Sequence, residues 1–295
     1  NKFALLGAMR AVAQMVSYEI PAVIALLSMV LFTGTMNLNK YTELQGGLPI
    51  LGNTLKDVIP DLGLGWFVFT PIGLVGFMIF FICILSEGER TPFDIPEADS
   101  EIVAGYMTEY SGMKFAVFYM GQFLFNYALS MVASIIFLGG WNFPGIPQLI
   151  SIAPPIGALA SAVVLGAKAW FLFFVMIWLR GAFPRLRMDQ LMAFAWKFLL
   201  PLALINILSA ALWLTIMLWC TGDCTQNPWV FTVGGINPLG WLGNSPVLRQ
   251  LVGFVLTAII NAGAFFWLLN VNRRPAGETP ADLARDQAFG TASLP

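Results

Sequence analysis

The 295-residue chain is 58% hydrophobic and 11% charged, with a mean hydropathy of +0.77. Soluble proteins average roughly 45–50% apolar and about 25% charged residues, so this composition excludes an ordinary soluble domain and indicates one that lies in a bilayer. A net charge of −1 gives no overall field to attract nucleic acid. The chain contains no histidine, which excludes a Ser-His-Asp triad and His-ligated haem or zinc. Its three cysteines are too few for an iron–sulfur cluster.

Six apolar stretches are each long enough to cross the roughly 30 Å hydrocarbon core as a helix. None alternates between apolar and polar residues as a barrel strand would, so we predict an all-α, polytopic transmembrane helix bundle with about six spans in one membrane domain, 1–295. The predicted spans lie near 16–34, 64–85, 115–139, 155–179, 198–220 and 247–271. The residues 272–295 are polar and contain Pro and Gly, which is typical of an extended cytoplasmic tail.

Lysine and arginine are distributed unequally between the two sides of the predicted bundle. With six spans, both termini and the loops 86–114 and 180–197 share one side, which holds eleven of these residues against three on the other. Because such an excess marks the side that is not translocated, we expect these loops to face the cytoplasm or an equivalent compartment.

The loop 86–114 carries seven acidic and two basic residues. A helix beginning near Pro96 would place Glu97 and Glu101 on one face, where like charges repel and raise each other's pKa. Clustered carboxylates of this kind can exchange protons near neutral pH. A solvated acidic loop, or a docking surface for a basic partner, is the alternative interpretation.

Two ionisable residues lie inside predicted spans. A bare charge at the position of Lys168, near mid-span, costs at least ~2.5–3.5 kcal/mol, so we expect it to be paired, neutral or facing a hydrated cavity. A functional role for Lys168 and a structural ion pair are both open. Glu19 lies about one turn inside the first span and could also reach the interface. Arg10, Gln14 and Ser17 form a polar stripe, which is typical of a cavity wall or a helix contact.

The loop 180–197 carries several charged residues, which usually set topology and contact lipid headgroups. On the opposite side, Cys220 and Cys224 could form a disulfide, but their spacing on a continuing helix suits the bridge geometry poorly. We therefore predict neither a bridge nor a metal site there.

Three sequence motifs together resemble one family. They read NKFALLGAMRAVAQMVSYEIP, ERTPFDIPEADSEIVAGYMTEYSGMKF and PRLRMDQLMAFAWKFLLPLAL, and they cover about a quarter of the chain. The resemblance is to the membrane subunit that forms the quinone chamber of respiratory complex I, a family known as the H subunit of bacterial NADH-quinone oxidoreductases and as subunit 1 of the mitochondrial enzyme. It implies further helices upstream, and a place in the bacterial inner membrane or, alternatively, in an organellar inner or thylakoid membrane.

The resemblance also implies a function. The chain would be a subunit of a proton-translocating NAD(P)H:quinone oxidoreductase, with quinone as substrate and no redox centre of its own. FMN and iron–sulfur clusters would lie on partner subunits. The implied partners are other complex I membrane subunits, the soluble-arm subunits with the terminal cluster, and lipid; no nucleic acid partner is expected.

Residue roles follow by matching motifs. The implied proton path consists of seven carboxylates and one lysine, and it would lead into the membrane if the helices that carry them pack together. Its members are Glu19, Glu87, Glu89, Glu97, Asp99, Glu101, Glu109 and Lys168. The implied quinone chamber and gating loop contain Arg90, Phe93, Asp94, Arg180 and Arg185. The implied docking site for the soluble arm contains Arg187, Asp189 and Lys197.

Three positions depart from the pattern that the family resemblance implies. Glu89 stands where many members have Asn, Asp99 replaces a frequent Glu, and Gln122 stands where many members have a glutamate. Because Gln122 cannot release a proton, a relay step there is in doubt. Two alternatives stay open: the membrane subunit of an energy-converting hydrogenase, and an ion-coupled transporter that uses Lys168 and Glu19. The Pro-Phe-Asp motif favours the quinone enzyme, and inverted repeats typical of transporters are not seen.

Overall fold

The computed structural model describes residues 2–46, 65–89, 93–94, 110–146, 149–150, 154–184, 186, 188–221 and 246–272. Helices form the regular structure of these residues, and no strand occurs within them, which confirms the all-α prediction. The helices are α1 Lys2–Thr33, α2 Leu38–Leu44, α3 Pro71–Glu87, α4 Met113–Phe137, α5 Pro154–Ala182, α6 Met188–Phe194, α7 Leu200–Thr221 and α8 Pro246–Asn272. A π-helical turn, Ala195–Leu199, joins α6 to α7.

Five helical segments of the described chain are long and apolar enough to cross a membrane. They are Ala4–Thr33, Met113–Phe137, Pro155–Ala182, Met188–Thr215 and Leu251–Val271. The helix α3 is also apolar, but its 17 residues extend only about 26 Å, just short of the hydrocarbon thickness. This architecture confirms a polytopic membrane helix bundle.

Two helices, α1 and α3, begin away from the predicted spans. The first helix begins at Lys2 rather than near residue 16, because polar residues on one face of α1 do not interrupt the helix. The third begins at Pro71 rather than near residue 64. There the Thr70 hydroxyl accepts a 3.1 Å hydrogen bond from the Gly73 N–H, and Pro71 fits the first turn because no backbone donor is needed.

The core lies where α1 packs against α3 and α7, with α7 against α8 and α4 against α5. Gly76 of α3 allows the Phe137 ring and the Asn206 amide to approach, since a Cβ there would lie 3.3 Å from each. Asn206 Nδ2 donates to Ser28 Oγ at 3.0 Å, and Asn261 Nδ2 donates to Ser209 Oγ at 3.0 Å. These bonds join α7 to α1 and to α8, where an unpaired polar group would be costly.

Candidate functional site

Gln14 of α1 anchors the beginning of the acidic loop to the bundle. Its side chain is 3% exposed, and Nε2 donates to the backbone oxygens of Ser86 and Phe93, each at 2.8 Å. A third contact joins Nε2 to Ser86 Oγ at 3.2 Å. The polar stripe predicted on this helix is therefore a helix and loop contact: it holds the end of α3 and the Phe93 backbone together.

Phe93 and Tyr18 continue this contact. Phe93 is 5% exposed, and its ring meets the Tyr18 ring at a centroid distance of 5.6 Å with an interplanar angle of 64°. The Tyr18 hydroxyl donates to the Leu191 backbone oxygen at 3.0 Å. One face of α1 thus contacts both Phe93 and α6, with Asp94 partly buried beside Phe93.

The segment that joins α6 to α7 is held by Ser17, which lies between Gln14 and Tyr18 on α1. Ser17 Oγ donates to the Ala13 backbone oxygen at 2.7 Å and accepts from Trp196 Nε1 at 3.3 Å. Trp196 belongs to the π-helical turn, and such wider turns are frequent at functional sites. Asp189 and Lys197 on this segment are exposed.

Two carboxylates meet at the same end of the bundle. Glu87 ends α3 and is partly buried, whereas Glu19 lies on an exposed face of α1. Burial raises the pKa of the Glu87 carboxyl above its usual range, and the Glu19 carboxylate adds to this rise. The structure therefore brings together two members of the predicted proton path.

The turn after α3 rests on α4. Gln122 Nε2 donates to Glu89 Oε2 at 3.3 Å and to the Gly88 backbone oxygen at 3.4 Å. Asn126 Nδ2 reaches the same Gly88 oxygen at 3.5 Å. Gly88 makes this packing possible, because a Cβ there would overlap the Asn126 amide. The Glu89 carboxylate is thereby fixed against α4.

Lys168 of α5 contacts the segment that follows α4, at the end of α4 away from Gly88. Its ammonium donates to the backbone oxygens of Leu138 at 2.7 Å, Gly140 at 3.0 Å and Asn142 at 2.6 Å, and lies 4.3 Å from the centre of the Trp66 ring. Leu138 follows Asn126 by twelve residues, or about 18 Å along a helix. Lys168 is therefore not brought together with Glu19 and Glu87, and no descending line joins the three directly.

Several predicted residues fall outside the described part of the chain. They are Arg90, Glu97, Asp99, Glu101, Glu109, Arg185 and Arg187. Arg180 is described and exposed at the end of α5. The described residues contain no group of three His, Cys, Asp or Glu side chains placed to hold a metal ion.

Sequence reasoning missed several contributors to this site. Tyr18 and Trp196 lie among apolar residues and Ser86 begins the acidic loop, and none of the three gave a signal as a separate residue. Asn126 carried a usable signal, since an amide four residues after Gln122 continues one helical face. The pairing of that face with Gly88 depends on tertiary packing.

Comparison with protein families supplies the identification. Residues 1–211 match the family model described as NADH dehydrogenase. The chain belongs to this family. That stretch contains all three motifs and the candidate site, so the resemblance predicted from the sequence is confirmed.

Individual members of the NADH dehydrogenase family are similar over the same part. The H subunit of NADH-quinone oxidoreductase from Chlorobaculum parvum is 46% identical over 219 residues, covering 72% of this chain and 57% of that protein. The corresponding protein from Geobacillus sp. strain WCH70, which carries the same name, is 44% identical over 212 residues, covering 72% of this chain and 55% of that protein. The chain thus spans little more than half the length of these curated relatives.

Proposed function

We propose that this chain is the membrane subunit of a proton-translocating NADH:quinone oxidoreductase and that its loop-bearing end forms part of the quinone chamber. The observation that carries the proposal is the Gln14 contact, which fixes Ser86 and Phe93 on one helix face. The names of the bacterial relatives support the same enzyme. They do not favour an energy-converting hydrogenase or a transporter.

The chemistry of quinone suits this end of the bundle. A quinone has an apolar tail, which partitions into lipid, and a polar head group, which needs hydrogen-bond donors. The apolar spans supply the first environment, and the junction of Gln14, Tyr18 and Phe93 lies where the polar loops begin. We place Arg90, Phe93, Asp94, Arg180 and Arg185 at the chamber or its gating loop.

The redox partners lie on other subunits in this proposal. FMN and iron–sulfur clusters there would deliver electrons to the quinone, and this chain would bind, orient and enclose the substrate. Asp189 and Lys197, which are exposed, together with Arg187 would dock the soluble arm. The apolar helices and the bacterial relatives favour the bacterial inner membrane.

The carboxylates at this end are proposed to begin the proton path. Burial raises the pKa of the Glu87 carboxyl and the nearby Glu19 charge raises it further, so a change of charge beside Glu87 alters its protonation. Glu89 and the loop acids Glu97, Asp99, Glu101 and Glu109 extend the set. Lys168 plays a different role in this scheme: its three ammonium protons all have backbone acceptors, so it serves as a structural contact.

A matched pair of glutamine variants tests the quinone chamber. Gln14→Leu removes the donor to two loop carbonyls, whereas Gln190→Leu makes the same change at an exposed position of α6. In the assembled complex, we expect Gln14→Leu to slow NADH-to-quinone electron transfer about tenfold, or about 1.4 kcal/mol. Electron transfer to a soluble artificial acceptor, which bypasses the chamber, should be unchanged.

The control and the quinone assay decide between a chamber and a structural contact. Gln190→Leu should match wild type in both assays. Wild-type quinone reduction by assembled Gln14→Leu, or equal losses with both acceptors, contradicts the proposed chamber.

A further inference from the structure

The turn Gly88–Glu89 has a backbone geometry that calls for an explanation. Glu89 has φ +49° and is the one non-glycine residue with positive φ among those described. This left-handed region is disfavoured for a side chain such as glutamate and tends to persist where the surroundings enforce it, often at functional sites. The conformation directs the Glu89 carboxylate to Gln122 on α4.

The amides facing this turn are only half satisfied. Gln122 and Asn126 use their nitrogen atoms as donors to Glu89 and Gly88. Their oxygen atoms, Gln122 Oε1 and Asn126 Oδ1, are buried and have no hydrogen-bond donor among the described residues. Buried acceptors are nearly always paired, and ordered water is the usual partner where protein supplies none.

The same face of α4 continues into the membrane. Ser130 and Ser134 follow Asn126 at four-residue intervals, and all three side chains are buried. Ser130 Oγ donates to the Asn126 backbone oxygen at 2.8 Å, and Ser134 Oγ donates to the Met131 backbone oxygen at 2.8 Å. The hydroxyl oxygens keep acceptor capacity, so this face is polar from the Glu89 carboxylate inward.

We propose that Glu89 and Gln122 form a water-binding carboxylate–amide pair, in which Glu89 accepts the proton and Gln122 is its positioning residue. The inference rests on the proposed proton-translocating function. Water donates to the two amide oxygens and links them to the carboxylate. Glu89 takes a proton from a hydronium ion, releasing water, and later returns the proton to a water of the same site.

The carboxylate and the amide of this pair can be exchanged between positions 89 and 122 as a test. It needs one carboxylate and one amide in contact, and the geometry does not require the carboxylate to lie on the turn. The double variant E89N/Q122E moves the carboxylate to α4 and places on the turn an asparagine, which tolerates the left-handed backbone better than glutamate. E89N alone leaves two amides, and Q122E alone places two carboxylates in contact, where they repel.

The experiment uses the whole complex in sealed vesicles and measures quinone reductase turnover and proton uptake per quinone reduced. We expect E89N and Q122E each to lower proton uptake per quinone at least twofold, and E89N/Q122E to return it to near the wild-type value. A merely structural contact would not give this rescue. The matched control E43N/Q190E exchanges exposed residues and should match wild type.

Two results would overturn the pair: wild-type proton uptake in E89N, or a double variant as impaired as E89N. Should E89N fail to assemble, E89Q and E89Q/Q122E give the same comparison with the glutamate shape retained. Failure of the proposed function is distinguishable, because the wild-type complex would then not reduce quinone.

Discussion

The polar contacts at the two ends of α4 differ in how fully their donors and acceptors are paired. At one end, Lys168 gives all three ammonium protons to backbone oxygens of the segment after the helix. At the other, Gln122 holds a turn through long contacts of 3.3 and 3.4 Å and leaves a buried oxygen without a donor among the described residues. The Lys168 contact satisfies all three ammonium protons, whereas the contact at Gly88 leaves the Gln122 oxygen without a donor among the described residues.

Two glutamines make the same comparison. Gln45 is fully buried; its Nε2 donates to the backbone oxygens of Ile135 and Ile136 at 3.1 and 3.2 Å, and its Oε1 accepts from the Phe67 N–H at 3.3 Å. Both ends of that amide are used, unlike those of Gln122. The same residue type therefore serves stability in one region and leaves room for function in the other.

The largest expected effect is at the Lys168 contact. Lys168→Met removes the donor to three backbone oxygens, so we expect a loss of about 3 kcal/mol or more and a fall in the yield of assembled complex. Thermal unfolding of the purified complex measures the loss. Lys40→Met, at an exposed position of α2, is the control and should leave stability unchanged. Wild-type stability of Lys168→Met would show that the Lys168 contacts do not stabilise this region.

A smaller effect should separate the two glutamines. Gln45→Leu leaves two carbonyls and one N–H without their partner, and we expect it to lower the free energy of unfolding by about 2 kcal/mol. Gln122→Leu removes only long contacts and also removes an oxygen that lacks a donor, so its loss should be below about 1 kcal/mol. Chemical or thermal unfolding of both variants measures these losses, and a larger loss for Gln122→Leu than for Gln45→Leu would contradict the prediction.

The smallest effect concerns the link between α1 and α6. Tyr18→Phe keeps the ring contact with Phe93 but removes the hydrogen bond to Leu191, which is worth about 1 kcal/mol. We expect faster amide hydrogen exchange in α6, Met188–Phe194, with little change elsewhere. Tyr110→Phe, at an exposed tyrosine, should change nothing. Unchanged exchange in α6 would show that the hydroxyl does not hold this helix.

Sequence alone predicted the parts of this molecule that depend on local pattern. The apolar runs gave the all-α bundle, and three motifs gave the family. The cost of a charge in hydrocarbon predicted that Lys168 must be satisfied, but its partners are backbone oxygens, which every residue carries and no side-chain pattern reveals.

For the candidate site, the sequence predicted which residues are polar but not which residues they contact. The polar stripe of α1 was visible in the sequence, yet the contact from Gln14 to Phe93 spans 79 positions of the chain and depends on how α1 meets α3. The contact between Glu89 and Gln122 likewise arises from a left-handed turn that glutamate disfavours. Local propensity argues against that turn, so only the packed structure shows it.

Turnover per assembled complex tests the contrast between the two ends most directly. Glu87→Gln and Lys168→Met are each built into the complex, and both assembly yield and quinone reductase turnover are measured in vesicles. We predict that Glu87→Gln assembles at the wild-type level and loses turnover, whereas Lys168→Met assembles poorly and keeps wild-type turnover in the complexes that form. Normal turnover in Glu87→Gln together with lost turnover in well-assembled Lys168→Met would contradict the assignment of function to Glu87 and of a structural role to Lys168.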